Sequence, residues 1–437
     1  MALLVEIWGR HVSEFSKNDP TVPMEDGMII YDWNNVDRVG PIAQGPVRLL
    51  DETLRDGLQS PSVVNPPLAD KIMLVHTMNE LGIDCADIGL PGAGDRAYRD
   101  VEGICREISS AKLAILPACA ARTLDKDVQP IIDISQATGV AIEVLAFIGT
   151  SPIRQFVESW DSYSMYKLVR ESIRLARNYN LPVTFVTEDT TRAKPDTLYP
   201  LYHVAVEAGA SRICLSDTTG HATPDGLRNL VRFTRNIIQG MGKDIRLDWH
   251  GHNDRGLGLT NALHAVEAGV DRVHGTALGI GERCGNVAID QIMVNLKLLG
   301  ILDNDLSQLV LYCKQAALAT HFKVPRNYPV VGADAFRTST GVHAAAIRKA
   351  KDLGRDHLAD RIYSGIPASM FGLKQKVEIG QMSGESNVVF WLETKGYETT
   401  DGLVKRILDV AKNSHRVLDD IELEFIVKRH RQEHAGQ

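Results

Sequence analysis

Two histidines one residue apart, His250 and His252 in "DWHGHNDRGLG", follow a short apolar run and precede an Asn-Asp-Arg-Gly turn. Alternate side chains of a strand share a face, so both imidazoles can reach one point in space. Such a pair either holds a divalent cation or packs and hydrogen-bonds in a core, and spacing alone leaves both open. Further polar groups follow other short apolar runs: Glu52, Arg55, Asp56 and Gln59 in "DETLRDGLQSP", and Glu188 and Asp189 in "TEDTTR". Asp217 and Thr218 stand in "SDTTGHATP", and Glu282, Arg283, Cys284 and Asn286 in "GTALGIGERCGN". Two imidazoles, the Asp56 carboxylate and an amide, with open positions left over, suit Mg, Mn, Zn or Co. A metal so held acts as a Lewis acid on a chelating carbonyl, and Arg55 can stabilise an oxyanion developing there.

Each residue also has a plainer role. Asp56 suits turn capping, Arg55 a surface ion pair, Glu188 and Asp217 helix capping, and Thr218 an N-terminal hydroxyl. Gly279 and Gly281 either make a tight loop or let backbone N–H groups approach a phosphate-bearing ligand. Nothing beside Cys284 marks an activated thiolate, so nucleophilic catalysis is not expected there. The set suits carbon–carbon chemistry at a 2-oxo acid. A hydrolase using Glu188 or Glu282 as base is the competing reading.

These residues need a scaffold that brings strand ends together. Eight apolar runs supply one: Val47–Asp51, Cys85–Gly89, Leu113–Ala118, Ala141–Ile148, Pro182–Glu188, Arg212–Asp217, Arg246–His252 and Arg272–Ala277. Amphipathic stretches such as Ser162–Tyr179 and Asp225–Ile238 separate them. "YHVAVEAGASRICLSD" and "NALHAVEAGVDRVHGTA" repeat one pattern, in which a helix ends at Ala-Gly with a left-handed cap and a strand follows. The alternation predicts a (β/α)8 TIM barrel over residues 47–300, with catalytic groups at the C-terminal strand ends. No strand opens a G-x-G-x-x-G turn, which disfavours a doubly wound sheet. Residues 1–46 read as an N-terminal extension and 301–437 as small, mainly helical C-terminal subdomains.

The 437 residues carry a net charge of −7, which gives no basic footprint for nucleic acid. No apolar run approaches the roughly 20 residues of a membrane span. Glu6 and Arg10 interrupt the N-terminal apolar run, unlike a secretory signal. Six scattered cysteines with no C-x-x-C pair point to a reduced, cytoplasmic setting.

Together, "LLDETLRDGLQSP", "HGHNDRGLGLTNALHAVEAG" and "HGTALGIGERCGN" resemble the 2-isopropylmalate synthase and homocitrate synthase family, the acetyl-CoA-dependent branch of the metal-dependent barrel enzymes that include hydroxymethylglutaryl-CoA lyase. The resemblance implies a Claisen-type condensation of acetyl-CoA with a 2-oxo acid, then thioester hydrolysis. Asp56, His250 and His252 match the family's metal ligands, and Asn286 a residue holding the metal or its water. Arg55 matches the arginine that polarises the keto oxygen. Gln59, Glu188 and Thr218 match pocket residues, with Glu188 expected among the catalytic groups. Glu282 falls in the loop that meets acetyl-CoA, where Gly279 and Gly281 are the expected backbone contacts.

"VVGADAFRTSTGVHAAAIRK" extends the resemblance into the C-terminal region. His343 matches a catalytic histidine supplied to a neighbouring subunit's site, and Tyr363 in "IYSGIP" an accompanying tyrosine, which implies a homodimer with shared sites. Departures accompany the matches. "HAAAI" replaces the usual Gln-Asp-Gly continuation and is nearer the homocitrate style, Asp87 stands where a glutamate is common, and Arg154 stands where a histidine is frequent. Arg154 is expected to meet a distal carboxylate or CoA phosphates. The expected substrate is 2-oxoisovalerate, giving 2-isopropylmalate in leucine biosynthesis. 2-Oxoglutarate, pyruvate or oxaloacetate, or a carbon–carbon lyase reaction, are the alternatives. The leucine-binding domain of long isopropylmalate synthases needs on the order of a hundred further residues, so feedback control through it is expected to be absent.

Overall fold

The structure is a computed structural model and describes residues 29–36, 42, 43 and 45–434. Eight parallel strands form a closed barrel in sequence order: β1 (Arg48–Asp51), β2 (Cys85–Asp87), β3 (Leu116–Arg122), β4 (Glu143–Gly149), β5 (Val183–Glu188), β6 (Arg212–Asp217), β7 (Arg246–Gly251) and β8 (Arg272–Gly275). Pairing of β1 with β8, Leu50 opposite His274, closes the ring. The expected fold is the observed one.

The helices of the barrel are α1 (Leu68–Glu80), α2 (Asp95–Ser110), α3 (Asp125–Thr138), α4 (Pro152–Glu158), α5 (Ser162–Asn178), α6 (Pro195–Ala208), α7 (Pro224–Gly240), α8 (Gly258–Glu267) and α9 (Ile289–Leu298). Their starts follow local chemistry: the side chains of Asp161 and Thr223 cap α5 and α7 by accepting the N–H groups of Ser164 and Gly226. Gly209 ends α6 with φ +113°, and Gly269 follows α8 with φ +94°, as the Ala-Gly pattern predicts.

β3 is the one strand read out of place. The apolar "LAILPA" suggests Leu113–Ala118, but pairing runs from Leu116 opposite Cys85 to Arg122 opposite Phe147. Ile115 is buried in the turn before the strand, while the strand proper is built of small residues that carry little pattern.

The barrel interior is layered. At the N-terminal end, Arg272 pairs with Glu143 (2.8 Å) and Asp248 (2.7 Å), and Arg212 pairs with Asp248 (2.6 Å). Leu50, Cys85, Ala118 and Leu145 pack above these ions. The C-terminal end gathers most of the polar side chains, as barrel geometry expects of a reactive face.

The chain divides into two compact units, and the barrel unit comprises Ile42–Arg337 with Ile366–Lys374. The boundary expected at residue 300 falls inside it. The reason is a further helix, α10 (Leu309–Thr320), whose buried Tyr312 hydroxyl bonds to Asp51 and, at 3.1 Å, to Thr53. The second unit carries α11 (Gly341–Asp352), α12 (Asp356–Ala359), α13 (Glu385–Thr394), α14 (Asp401–Lys412) and α15 (Asp420–His434). It is mainly helical and has its own core, including Ile379, Val388, Leu392, Leu403, Ile407 and Leu423. The extension expected over residues 1–46 lies mostly outside the described residues. Within it, Asp32 caps a single turn, Trp33–Asn35, and Trp33 is exposed. Among the described residues no helix is long and apolar enough to cross a membrane.

Candidate active site

Alternation along β7 turns Asp248, His250 and His252 to one side, and β8 does the same for Arg272 and His274. The strand ends thereby surround a cavity of about 320 Å³ at the C-terminal end of the barrel, lined by both histidines of β7, Arg55, Asp56, Gln59, Glu188, Thr218, His274 and Glu282 among others. The Asp56 Oδ2 atom lies 3.4 Å from His252 Nε2 and 3.6 Å from His250 Nε2. The Asn286 amide donates to the same oxygen at 2.6 Å. All four side chains are buried.

The two histidine spacings are long for hydrogen bonds. They fall near the roughly 3.0–3.4 Å that separates neighbouring ligands around a cation with bonds of about 2.1 Å. Asn286 Oδ1 and His252 Nδ1 are buried without a hydrogen-bond partner, so polar atoms with no protein partner remain at the cluster. His250 Nδ1 is held at 2.7 Å by Glu52, which leaves Nε2 facing Asp56, the carboxylate–histidine arrangement that orients a ligating imidazole. A second group, Glu52, His250 and His274, is equally close but saturated. Each Glu52 oxygen already binds a histidine Nδ1, and His274 Nε2 binds Asp248 at 3.2 Å.

Charge gives the same answer. Arg55 is clamped by three carboxylates: Nε by Asp87 (2.6 Å), Nη1 by Asp56 (2.9 Å) and Nη2 by Glu52 (3.3 Å). Burial would raise the Asp56 carboxyl, but Arg55 and the two histidines outweigh it and hold the group well below its ordinary range. Burial likewise opposes ionisation of Glu52, and His250 and His274 win, so it too stays ionised. Asp87 goes the other way: burial pushes it up to about 6 against the pull of Arg55. His274 is raised to about 8, because Glu52 and Asp248 outweigh its burial. The residues gathered here therefore fit a divalent cation in donor type, spacing and charge.

Around this centre, Glu188 lines the wall, and its carboxyl is raised by burial against the opposing charge of Arg154. Thr218 accepts the Asp189 N–H at 2.8 Å. Glu282 and Arg283 stand at the mouth, Arg283 paired with Asp254 at 2.9 Å. Arg154, expected to face a substrate, is committed to Glu158 (2.9 Å) and Glu188 (3.0 Å) and is not among the lining residues. Gly279 and Gly281 do not line the cavity. Gly279 O accepts the Asn286 N–H at 3.1 Å, and a Cβ on Gly281 would stand 2.0 Å from Asn286 Oδ1, so both glycines bring the loop against Asn286. Cys284 is exposed. His343 and Tyr363 lie in the second unit, with rings stacked at 3.8 Å, so the structure joins two residues that the sequence separates by a whole helix.

The residue patterns singled out neither His274 nor the role of Glu52. The signal was present: Asp248, Arg272 and His274 occupy alternate positions inside apolar runs, where a polar side chain facing the barrel interior needs a partner.

Comparison with known proteins follows the same lines. The HMGL-like family model matches residues 46–313. The chain is similar to a probable 2-isopropylmalate synthase of Methanopyrus kandleri, 30% identical over 83% of this chain and 70% of that protein. It is as similar to a homocitrate synthase of the same organism, 31% identical over 87% and 92% of the two chains. A putative (R)-citramalate synthase from that organism is 29% identical over 85% and 69%. Among solved structures, the hydroxymethylglutaryl-CoA lyase of Pseudomonas aeruginosa superposes with a TM-score of 0.55 at 20% identity, covering 65% of this chain and 95% of that one. The Bacillus subtilis HMG-CoA lyase gives 0.54 at 19%, covering 64% and 95%. At these identities the lyases support the fold alone.

Proposed function

The chain belongs to the HMGL-like family, and from that premise we propose that it condenses acetyl-CoA with a 2-oxo acid and hydrolyses the resulting thioester, with 2-oxoisovalerate as substrate and 2-isopropylmalate as product. One observation carries the reading: Asp56, His250, His252 and Asn286 converge under a clamped Arg55 at the reactive end of the barrel. Curated synthases at about 30% identity over most of the chain support the condensing chemistry.

These four residues would hold a divalent metal, which when bound supplies Lewis acidity toward a chelating 2-oxo acid. Arg55 adds a guanidinium that three carboxylates keep from reorienting, so its charge is in place before a keto oxygen becomes negative. Glu188, whose carboxyl burial raises against the opposing charge of Arg154, is suited to proton transfer at Oε2, since Arg154 holds Oε1. Thr218 and Gln59 add a hydroxyl and an amide to the wall, and Glu282, which lines the same cavity, is assigned here to the loop that meets the thioester. His343 and Tyr363 join through their family motif and their stacking, and we place them in a site shared between two copies of the chain.

Two features favour an alkyl 2-oxo acid over a diacid. Ala120, Leu145, Phe147 and Val186 make part of the lining apolar, and Arg154 is neutralised by two glutamates. Apolar walls discriminate a methylene by only ~1–3 kcal/mol, so neighbouring alkyl acids are turned over more slowly rather than refused.

Thiol release from acetyl-CoA by metal-replete protein tests the reading, with 2-oxoisovalerate, pyruvate, 2-oxoglutarate and oxaloacetate compared by kcat/KM. 2-Oxoisovalerate is expected to lead. Release with none of the four refutes the synthase assignment, and preference for 2-oxoglutarate refutes the alkyl one. Mixing inactive Arg55→Ala and His343→Ala chains should restore activity in hybrid dimers, and no recovery rules out the shared site.

A further inference from the structure

The loop between β8 and α9 delivers Asn286 and Glu282, and its backbone is unusually constrained. Leu278 and Arg283 adopt positive φ (+58° and +55°) without being glycine, as do the glycines 279 and 285 (+68° and +87°). A buried leucine does not choose a left-handed conformation unaided, so something must hold it there. The holder is Asp290, fully buried in the first turn of α9. Its Oδ1 accepts the Leu278 N–H at 2.8 Å, and its Oδ2 accepts the Gln291 amide at 2.8 Å and the Tyr328 hydroxyl at 3.0 Å. None of these donors is charged, and no ion pair to Asp290 occurs among the described residues. A buried carboxylate supported only by neutral donors is costly to keep unless its acceptor geometry is needed.

From Leu278 the constraint passes to Asn286 in two steps. Fixing Leu278 aims the Gly279 carbonyl, which accepts the Asn286 N–H at 3.1 Å, and the Asn286 side chain then reaches Asp56 at 2.6 Å. Tyr328 lies far along the chain from the metal cluster and touches none of its members in the contacts described, yet it stands at the start of this path.

We infer that Asp290 and Tyr328 are positioning residues that lock the 276–287 loop and thereby set Asn286 against Asp56. The inference rests on the metal reading for its consequence, but the lock itself is a property of the protein alone.

Two measurements on the full chain separate these parts. Amide exchange over residues 276–287 of metal-free protein reads the lock, and titration with Co²⁺ alone reads Asn286. Tyr328→Phe removes one hydroxyl and leaves the ring in place. Tyr202→Phe, a hydroxyl deletion at a fully buried tyrosine elsewhere in the barrel unit, is the control. Tyr328→Phe is expected to speed exchange in the loop about fivefold or more and to weaken Co²⁺ binding about three- to tenfold with an altered visible spectrum, while its melting point stays near that of the control. Asp290→Asn is expected to act in the same direction and further. Loop exchange equal to the control overturns the lock. Faster exchange with unchanged Co²⁺ affinity and spectrum overturns its coupling to Asn286. If unaltered protein binds no Co²⁺, the metal reading fails, and exchange alone decides the lock.

Discussion

Glu52→Gln is the most searching perturbation of the site, because Glu52 belongs to no expected ligand set yet holds one in place. Its carboxylate accepts from His250 Nδ1 at 2.7 Å, His274 Nδ1 at 3.0 Å and Arg55 Nη2 at 3.3 Å. Glutamine keeps the shape but offers one acceptor oxygen and one NH2 group. At least one imidazole N–H must then face another donor. A buried hydrogen bond to a charged group contributes about 1.5–3 kcal/mol, and a donor left facing a donor loses that much. His250 can escape by moving its proton to Nε2, which removes the lone pair that points at Asp56. Either response weakens metal binding about 10- to 100-fold, or 1.4–2.8 kcal/mol, the usual range for groups that orient a ligating histidine. Chelator-competition titration of metal-free protein with Co²⁺ measures the effect, and circular dichroism confirms that the barrel remains. A Kd within threefold of the unaltered chain would show that Glu52 does not orient His250, and the two-tier account of the site would fall.

Three further outcomes follow from particular contacts. Asp56→Ala should abolish both metal binding and thiol release while the protein stays folded, and stoichiometric binding by the variant would remove Asp56 from the ligand set. Gly281→Ala places a methyl 2.0 Å from Asn286 Oδ1, so that side chain must leave Asp56; metal affinity is expected to fall about tenfold although no ligand is deleted, and an unchanged titration counts against Asn286. Burial pushes Asp51 up to about 6, above its ordinary carboxylate value near 4, so the folded state holds that proton more tightly than the unfolded chain. This contribution to stability is therefore complete below about pH 4 and is lost as pH rises to 6, at up to ~1.4 kcal/mol per pH unit. Asp51→Asn removes that loss, so denaturation midpoints at pH 4.5 and 6.5 should show the variant gaining on the unaltered chain with rising pH; the opposite trend refutes the assignment.

Local pattern made most of the barrel legible. β6 was read residue for residue, because "RICLSD" is bounded by a glycine-capped helix on one side and a polar turn on the other. β3 was not, because Ala and Cys pack in a sheet without announcing it. Among the candidate site residues, Asp56, His250 and His252 are legible by type and by their position at strand ends. Arg154 was less legible: its spacing along the chain does not show that Glu158 of its own helix and Glu188 of β5 pair with it.

What the sequence by itself determined is the periodicity and the donor types. An alternation of period two puts His250 and His252 on one face, and carboxylate, imidazole and amide are chemistries that no fold can alter. Only the tertiary structure decided which partners each of several carboxylates meets. Asp56, Glu52 and Asp87 are carboxylic acids of similar strength as amino acids, and they meet their distinct partners only when β1, β2 and β7 close into one ring. There, contact with Arg55 and two imidazoles keeps Asp56 charged, two histidines occupy Glu52, and burial raises Asp87. Those are long-range electrostatic and desolvation effects, which depend on distances through space and leave no mark on spacing along the chain.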